Sequence, residues 1–209
     1  AAGGEAPCDG RLAAAVAPGV CRLGFMLPNT PLHLLLLAGL DSPLVLTSGN
    51  LSEEPQCIDN EEARVCLGGI ADYFLLHDRP IARRVDDSVV QIVAGVPRLL
   101  RVGRGYAPVP IRLGAGFERA PAVLAMGAEL KLAFCLLRDG TAVLSHHIGD
   151  LDDVATLDDY RASLARYAAL FDHAPTAVAA DRHPEYRSAK LARQSGRKLV
   201  EVQHHHAHV

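Results

Sequence analysis

The chain has 209 residues, 49% of them hydrophobic and 22% charged, which is typical of a soluble globular protein with one large domain or two small ones. Its formal charge of -3, from 21 basic and 24 acidic residues, argues against the basic surface of a general nucleic-acid or membrane binder. The longest apolar run, residues 34–40, is too short to cross a bilayer, and the sequence shows neither an initiator Met nor a charged-then-apolar leader. We therefore expect a cytoplasmic protein, with no membrane partner, whose sequence begins mid-chain.

The cysteines predict neither a disulfide framework nor a structural zinc knot. They are odd in number and never form a Cys-x-x-Cys pair. We expect free thiols at all five positions, which are Cys8, Cys21, Cys57, Cys66 and Cys135.

The first regular pattern predicts a helix. Thr30 and Pro31 are a typical N-cap and first helical residue, residues 32–37 form an apolar body, and Gly39 ends it. A helix this rich in Leu is expected to be buried. The short apolar run at residues 43–47, bounded by turn formers, predicts a strand.

A second helix and a series of strands follow. Asp59 and Glu62 have the spacing of a capping box, and Gly68 with Gly69 ends the helix that they open. Three strands are then predicted, at residues 73–76, 88–93 and 98–102. This order of elements is typical of an α/β module.

Residues 103–121 are rich in Pro and Gly and show no periodicity, so they predict a surface connector between two domains. The predicted organisation is a first domain over residues 1–112, a linker over 113–121 and a second domain over 122–209.

The second domain is predicted to open with three strands and a long helix. Strands are expected at residues 122–126, 132–137 and 142–145, with Asp139-Gly140 as a type I′ hairpin turn between the last two. Residues 153–171 have helical periodicity. A strand, a helix and a strand at residues 177–180, 184–194 and 199–202 then predict a crossover between parallel strands.

Four histidines within residues 204–208 follow the last predicted strand, at the sheet edge where ligand sites gather. If a helix begins there, His204 and His208 lie one turn apart on one face and can share a divalent metal ion. A purification tag is the first alternative, although Ala207 interrupts the run that a tag would have. A solvated cluster at a frayed end is the second.

Two polar segments are further candidates for binding. The loop at residues 47–52 offers hydroxyl and amide groups around Gly49, which suit phosphate or ribose oxygens, although the composition by itself favours an ordinary turn. Residues 77–88 compress arginines and adjacent acids, which either pair with one another or hold an anion. His146 and His147 are expected to point to opposite faces of a strand, so at most one of them could bind a metal.

Seven ordered motifs resemble those of the HypF family, the carbamoyltransferases of nickel-iron hydrogenase maturation. They are Leu-Pro-Asn-Thr-Pro-Leu-His at residues 27–33, Thr-Ser-Gly-Asn-Leu-Ser-Glu-Glu-Pro at 47–55, the Arg-Pro to Asp-Asp-Ser-Val stretch at 79–89, Arg-Gly-Tyr-Ala-Pro at 104–108, Gly-Ala-Glu-Leu-Lys at 127–131, His-Ile-Gly-Asp-Leu at 147–151 and Val-Gln-His-His-His-Ala-His at 202–208. The fold class that the resemblance implies is α/β: a partial YrdC-like nucleotide-binding domain, followed by the first lobe of an actin/sugar-kinase-like (ASKHA) domain.

The resemblance also implies an activity and its site residues. The family makes carbamoyl adenylate from carbamoyl phosphate and ATP and passes the carbamoyl group to the C-terminal cysteine of HypE. Ser48 and Asn50 match the Ser-x-Asn element that holds ATP, Ser88 falls where another hydroxyl lies near the phosphates, and His204 with His208 matches the metal pair. The metal would be zinc, iron or magnesium. Double-stranded RNA is implied as a partner only by analogy with YrdC.

The chain also departs from the family pattern. Leu132 and Ala133 stand where Asn and Thr are usual, and His146 stands where Gln is usual, so a polar site contact is expected to be lost. Because other parts of the family's architecture are absent, the fragment is expected to fold incompletely and to be inactive alone. A tRNA threonylcarbamoyladenosine enzyme and a non-catalytic YrdC-like RNA-binding module remain as alternatives.

Overall fold

The structure is a computed structural model that describes residue 13 and residues 15–20, 22–52 and 54–209. Contacts divide these residues into two units, of which one ends at Ser48 and the other runs from Gly49 to Val209. Cys8 and Cys21 lie outside the described residues, and the other three cysteines are free thiols, as predicted.

The first unit contains helix α1, Pro31–Leu37. Its predicted beginning is confirmed, since the Thr30 hydroxyl accepts the backbone N–H of His33 at 3.1 Å and Pro31 occupies the first turn. The predicted burial is wrong, because none of the seven residues of α1, all of them described, is buried. The strand predicted at residues 43–47 is also absent, since these five described residues pair with no neighbouring strand.

In the second unit, helix α2 spans Asn60–Leu67 and confirms the predicted capping box. The Asp59 carboxylate accepts the backbone N–H groups of Glu61 and Glu62, at 2.8 and 3.1 Å, and the Glu62 carboxylate accepts the backbone N–H of Asp59. Gly68 is the C-cap. These bonds satisfy donors that the first turn of a helix leaves without intrahelical partners.

Replacing the cap is expected to weaken this helix locally. Asp59→Ala in the full-length protein should lower the free energy of opening of the first turn of α2 by about 1 kcal/mol. Native-state hydrogen exchange at the amides of Glu61 and Glu62 would measure that loss. Asp59→Asn is the matched control, because Asn caps helices as well as Asp does. Equal exchange in the Ala and Asn variants would contradict the capping role.

Strands β1, Val89–Val93, and β2, Val96–Arg101, form an antiparallel two-stranded sheet, close to the predicted bounds. Residues 73–76, predicted as a strand, form none in the structure. Their apolar side chains satisfied the sequence pattern, but a strand also needs a hydrogen-bonding neighbour.

The larger sheet has six strands in the order β3-β6-β5-β4-β7-β8. They are β3 Pro110–Arg112, β4 Val123–Ala125, β5 Cys135–Arg138, β6 Thr141–Leu144, β7 Ala177–Asp181 and β8 Lys198–Val202. The β5–β6 hairpin turns at Asp139 and Gly140, whose φ angles of 48° and 70° fit the predicted type I′ turn. Strand β3 lies in the predicted connector and pairs with β6, which the sequence pattern did not reveal.

Strands β7 and β8 are parallel and are joined by a helical crossover, as predicted. Helix α4, Arg187–Gln194, connects β7 to β8, and β7 is also parallel to β4. Helix α3, Val154–Leu170, packs its buried tyrosines into the core. The Tyr160 hydroxyl, fully buried, donates to the carbonyl of Met126 at 2.8 Å.

The mixture of helices and sheets confirms the predicted α/β class. Among the helices that the structure describes, none combines the length and the apolar character that crossing a membrane requires.

Candidate functional site

The histidine cluster lies at the carboxyl end of β8. Gln203 leaves the strand, and helix α5, His204–Ala207, begins at the next residue. Strands β7 and β8 are parallel, with Asp181 opposite Val202, so both strands end at the same edge of the sheet. Ligand sites of parallel sheets gather at this edge.

The structure brings His204 and His208 together. Their Nε2 atoms are 3.1 Å apart, and their ring centroids are 4.8 Å apart at an interplanar angle of 72°. Two imidazole nitrogens, each bound about 2.0–2.1 Å from one tetrahedral ion, lie about 3.3–3.4 Å apart, which is close to the observed separation. The donor atoms and their separation therefore fit one shared metal ion.

The pair supplies only part of a coordination shell. Among the residues that the structure describes, no group of three His, Cys, Asp or Glu side chains could hold a metal ion. His205 turns away, with its ring perpendicular to that of His204 at 6.3 Å and its Nδ1 facing the amide of Gln203 at 3.5 Å. The remaining ligands of a four-coordinate ion would come from elsewhere.

Asp181, the last residue of β7, was not singled out from the sequence. Its Oδ2 lies 2.9 Å from Nδ1 of His204, and its side chain is only 11% exposed. The available signal was an acid ending the strand next to the one that leads into the histidines. A carboxylate behind a ligating imidazole fixes the orientation of the ring.

The Ser-x-Asn element lies around the point where the two units meet in sequence. The Ser48 side chain is exposed, and its backbone carbonyl accepts the Thr47 hydroxyl at 3.2 Å. The Asn50 amide nitrogen donates to the carbonyl of Leu51 at 2.8 Å. Asn50 Oδ1 is buried and has no hydrogen-bond partner among the described residues, which leaves an acceptor unused.

Ser88 is held by backbone contacts. Its hydroxyl accepts the N–H of Gly103 at 2.8 Å and donates to the carbonyl of Arg104 at 3.1 Å. The structure describes both Ser88 and Asn50, and it records no hydrogen bond between them. For Ser88 to donate to a phosphate, its bond to Arg104 would have to be exchanged.

An open cleft of about 330 Å³ lies beside these contacts. Its lining includes Gly103 and Arg104, the two partners of Ser88, together with Arg83, His146 and Tyr167. Arg83 and Arg104 are the cationic residues of this lining, and Arg104 is paired with Asp87 at 2.6 Å. Arg83 gives the cleft a positive charge that suits anions.

Two of the three acids in residues 77–88 are paired. Asp86 contacts Nδ1 of His147 at 2.7 Å and Arg101 at 3.7 Å, and Asp87 contacts Arg104 at 2.6 Å. The hydrogen bond from His147, followed by the charge of Arg101, lowers the pKa of Asp86 against the opposing effect of burial. The structure thus favours the pairing interpretation for these two acids.

His146 and His147 follow β6, which ends at Leu144, and they contact different partners. His147 reaches Asp86, whereas His146 is buried and its Nδ1 lies 3.2 Å from the Tyr167 hydroxyl. Burial, with a smaller contribution from Arg83, lowers the pKa of His146 to about 4. The imidazole is therefore neutral at pH 7.

Leu132 and Ala133, two of the three departures from the family pattern, differ in burial. Leu132 is 1% exposed and packs in the hydrophobic core, while Ala133 is half-buried. The Leu132 side chain therefore stabilises the core and does not line an open site.

Two family models match the chain. Residues 118–209 match "HypF Kae1-like domain", and residues 6–103 match the Sua5/YciO/YrdC family described as "Telomere recombination". The carbamoyltransferase HypF of Rhodobacter capsulatus is 50% identical over 207 residues, which are 97% of this chain and 28% of that protein. The carbamoyltransferase HypF of Synechocystis is 46% identical over 194 residues, which are 93% of this chain and 25% of that protein.

Two solved structures of HypF proteins are also similar to this chain. A crystal structure of full-length HypF in the phosphate- and nucleotide-bound form has a TM-score of 0.81 and 48% identity, over 90% of this chain and 29% of that one. HypF of T. kodakarensis has a TM-score of 0.83 and 37% identity, over 93% of this chain and 26% of that one. The chain spans about a quarter of the length of these relatives. Over that length its sequence and its fold agree with theirs, and the chain belongs to the HypF family.

Proposed function

We propose that the full-length protein carrying this chain is a carbamoyltransferase of nickel-iron hydrogenase maturation. It converts carbamoyl phosphate and ATP to carbamoyl adenylate, with release of pyrophosphate. It then transfers the carbamoyl group to the C-terminal cysteine of HypE, for synthesis of the cyanide ligands. The observation that carries this proposal is 50% identity, over 97% of the chain, to a protein named carbamoyltransferase HypF.

The transfer site is proposed to lie at His204 and His208. Their Nε2 atoms are 3.1 Å apart, a separation that fits one shared ion. Imidazole donors favour zinc or iron, whereas magnesium prefers oxygen ligands. Once bound, the metal supplies a Lewis acid that polarises and orients phosphate oxygens. Each imidazole must present a neutral Nε2 lone pair for this role.

Nucleotide binding is proposed for the Ser48, Asn50 and Ser88 element. The Oδ1 of Asn50 is buried, has no hydrogen-bond partner among the described residues, and can accept a hydrogen bond from a ligand. The two backbone partners of Ser88 line the cleft that also contains the guanidinium group of Arg83. Hydrogen-bond donors and cations beside phosphates stabilise the charge that develops when an adenylate forms.

Pyrophosphate exchange into ATP tests the first step in the full-length protein. The exchange is expected to depend on carbamoyl phosphate and to be absent with threonine and bicarbonate. Exchange that requires threonine and bicarbonate would instead support a tRNA threonylcarbamoyladenosine enzyme. Salt-sensitive RNA binding without any exchange would support the non-catalytic RNA-binding module.

A further inference from the structure

We propose that Asp181 is a positioning residue that sets the tautomer of His204 and aims its Nε2 at the ion shared with His208. This inference rests on the metal pair proposed above and extends it to the adjacent strand. Asp181 touches neither the ion nor the substrate in this role. It acts through the imidazole that it holds.

The geometry leaves one direction for the His204 ring. Its Nδ1 lies 2.9 Å from Oδ2 of Asp181, and its Nε2 lies 3.1 Å from Nε2 of His208. The two ring nitrogens therefore have different partners, a carboxylate on one side and a second imidazole on the other. Rotating the ring by half a turn about the Cβ–Cγ bond would put the carbons Cδ2 and Cε1 in place of the two nitrogens and break both contacts.

The chemistry of the partners assigns the proton. An ionised carboxylate only accepts hydrogen bonds, so the neutral imidazole of His204 must carry its proton on Nδ1. Nε2 then keeps the lone pair that a metal ion requires. Without the carboxylate, the proton is free to occupy Nε2, where it would block metal binding.

The backbone makes Asp181 a rigid support. It ends β7 opposite Val202 of β8, and His204 is two residues beyond Val202 along the chain. The carbonyl of Val202 also accepts the N–H of Arg182 at 2.8 Å, so the parallel pairing extends past Asp181. The side chain is 11% exposed, against 48% for His204. A carboxylate so shielded holds its partner more firmly than an exposed one.

Metal affinity and the tautomer of His204 test the proposal in the full-length protein. The bound metal is first removed, and Zn²⁺ affinity is then measured at pH 8. Only the binding that is lost in the His204→Ala variant is attributed to this site. Asp181→Ala should weaken this binding about 10–100-fold, the usual effect of removing an outer partner of a ligating histidine. In metal-free protein labelled with ¹⁵N-histidine, the same variant should move the His204 proton away from Nδ1, with the His204 signals assigned by their loss in His204→Ala.

Two control variants separate orientation from charge. Asp181→Asn keeps an acceptor oxygen in place, so the Nδ1–H tautomer should persist and affinity should fall by less than in the Ala variant. Glu201→Ala removes a carboxylate from the neighbouring strand, one that pairs with Arg193 at 2.8 Å, and should leave both readouts unchanged. If Asp181→Ala does not fold, the Asn variant decides the question, because its affinity should still fall measurably with the loss of charge.

The outcomes also distinguish this inference from the metal proposal. Loss of the metal in His204→Ala with unchanged affinity and tautomer in Asp181→Ala would overturn the role of Asp181 alone. Metal retained in His204→Ala would overturn the metal pair and the role of Asp181 together. Equal weakening by Asp181→Ala and Glu201→Ala would show a general effect of charge and would also overturn the positioning role.

Discussion

His204→Ala and His208→Ala are each expected to abolish metal binding at the carboxyl end of β8, whereas His205→Ala is expected to retain it. The Nε2 atoms of His204 and His208 are 3.1 Å apart, so each variant removes one of the two donors that converge on the same point. We expect affinity to fall by more than about 100-fold in either variant, beyond the loss caused by removing an outer partner.

His205 is a matched control for this experiment. It lies on the same short helix and has the same chemistry, but its ring is perpendicular to that of His204 and faces Gln203. Metal analysis of the three purified full-length variants, beside the wild type, provides the measurement. Equal losses from all three would show that the helix does not present one metal-binding face. If all three variants kept the same amount of metal as the wild type, these histidines would not be its ligands.

The two steps of the proposed reaction give this experiment a second readout. Because His204 and His208 are proposed to serve carbamoyl transfer, their variants should keep carbamoyl phosphate-dependent pyrophosphate exchange and lose transfer to HypE. The two proposed sites have no residue in common, since the exchange is assigned to the Ser48, Asn50 and Ser88 element. Loss of exchange in His204→Ala or His208→Ala would mean that the two sites are coupled.

The sequence correctly predicted the elements that are stabilised by contacts between residues close in sequence. Thr30 and Asp59 cap their helices through side-chain hydrogen bonds to residues two or three positions away. Asp139 and Gly140 adopt the positive φ angles that an Asp-Gly turn favours. In each case the interaction joins neighbours in sequence, so the residue types were sufficient to predict the structure.

Elements that depend on distant partners were harder to predict. Residues 43–47 and 73–76 have apolar runs typical of strands, yet they form none, because a strand needs a neighbour that the pattern does not specify. Conversely, Pro110–Arg112 became a strand through antiparallel pairing with β6, about thirty residues further along the chain. Burial of α1 failed as a prediction for a similar reason, since burial requires a second layer.

The candidate metal site shows the same division between local and distant information. The pairing of His204 with His208 follows from helical spacing and was visible in the sequence. Asp181 lies at this site only because β7 and β8 pair in parallel, with a register that places Asp181 beside the residues that lead into His204. Reading the ends of adjacent parallel strands together would have identified it.

Acidification is expected to destabilise the protein through His146. Burial lowers the pKa of this imidazole to about 4, with Arg83 contributing in the same direction. Its backbone N–H donates to the Tyr167 hydroxyl at 3.2 Å, and its Nδ1 lies 3.2 Å from the same hydroxyl. Burial keeps the ring neutral in the folded state. In the unfolded chain the ring would titrate near its ordinary value of about 6.5.

The direction of the effect follows from proton binding. Because the folded pKa of His146 is depressed, the unfolded state binds the proton first as the pH falls, and stability is lost. The contribution is fully present above pH 6.5 and disappears progressively as the pH approaches 4. This difference in pKa corresponds to about 2–3 kcal/mol of unfolding free energy lost by pH 4.5.

The comparison of wild type with His146→Gln isolates this contribution from every other group that titrates. Gln keeps hydrogen-bonding atoms but cannot gain a charge between pH 7.5 and pH 4.5. Urea unfolding of both full-length proteins at the two pH values is expected to show the wild type losing about 2–3 kcal/mol more than the variant over that range. A stability difference that stays constant with pH would contradict the lowered pKa of His146 in the folded state.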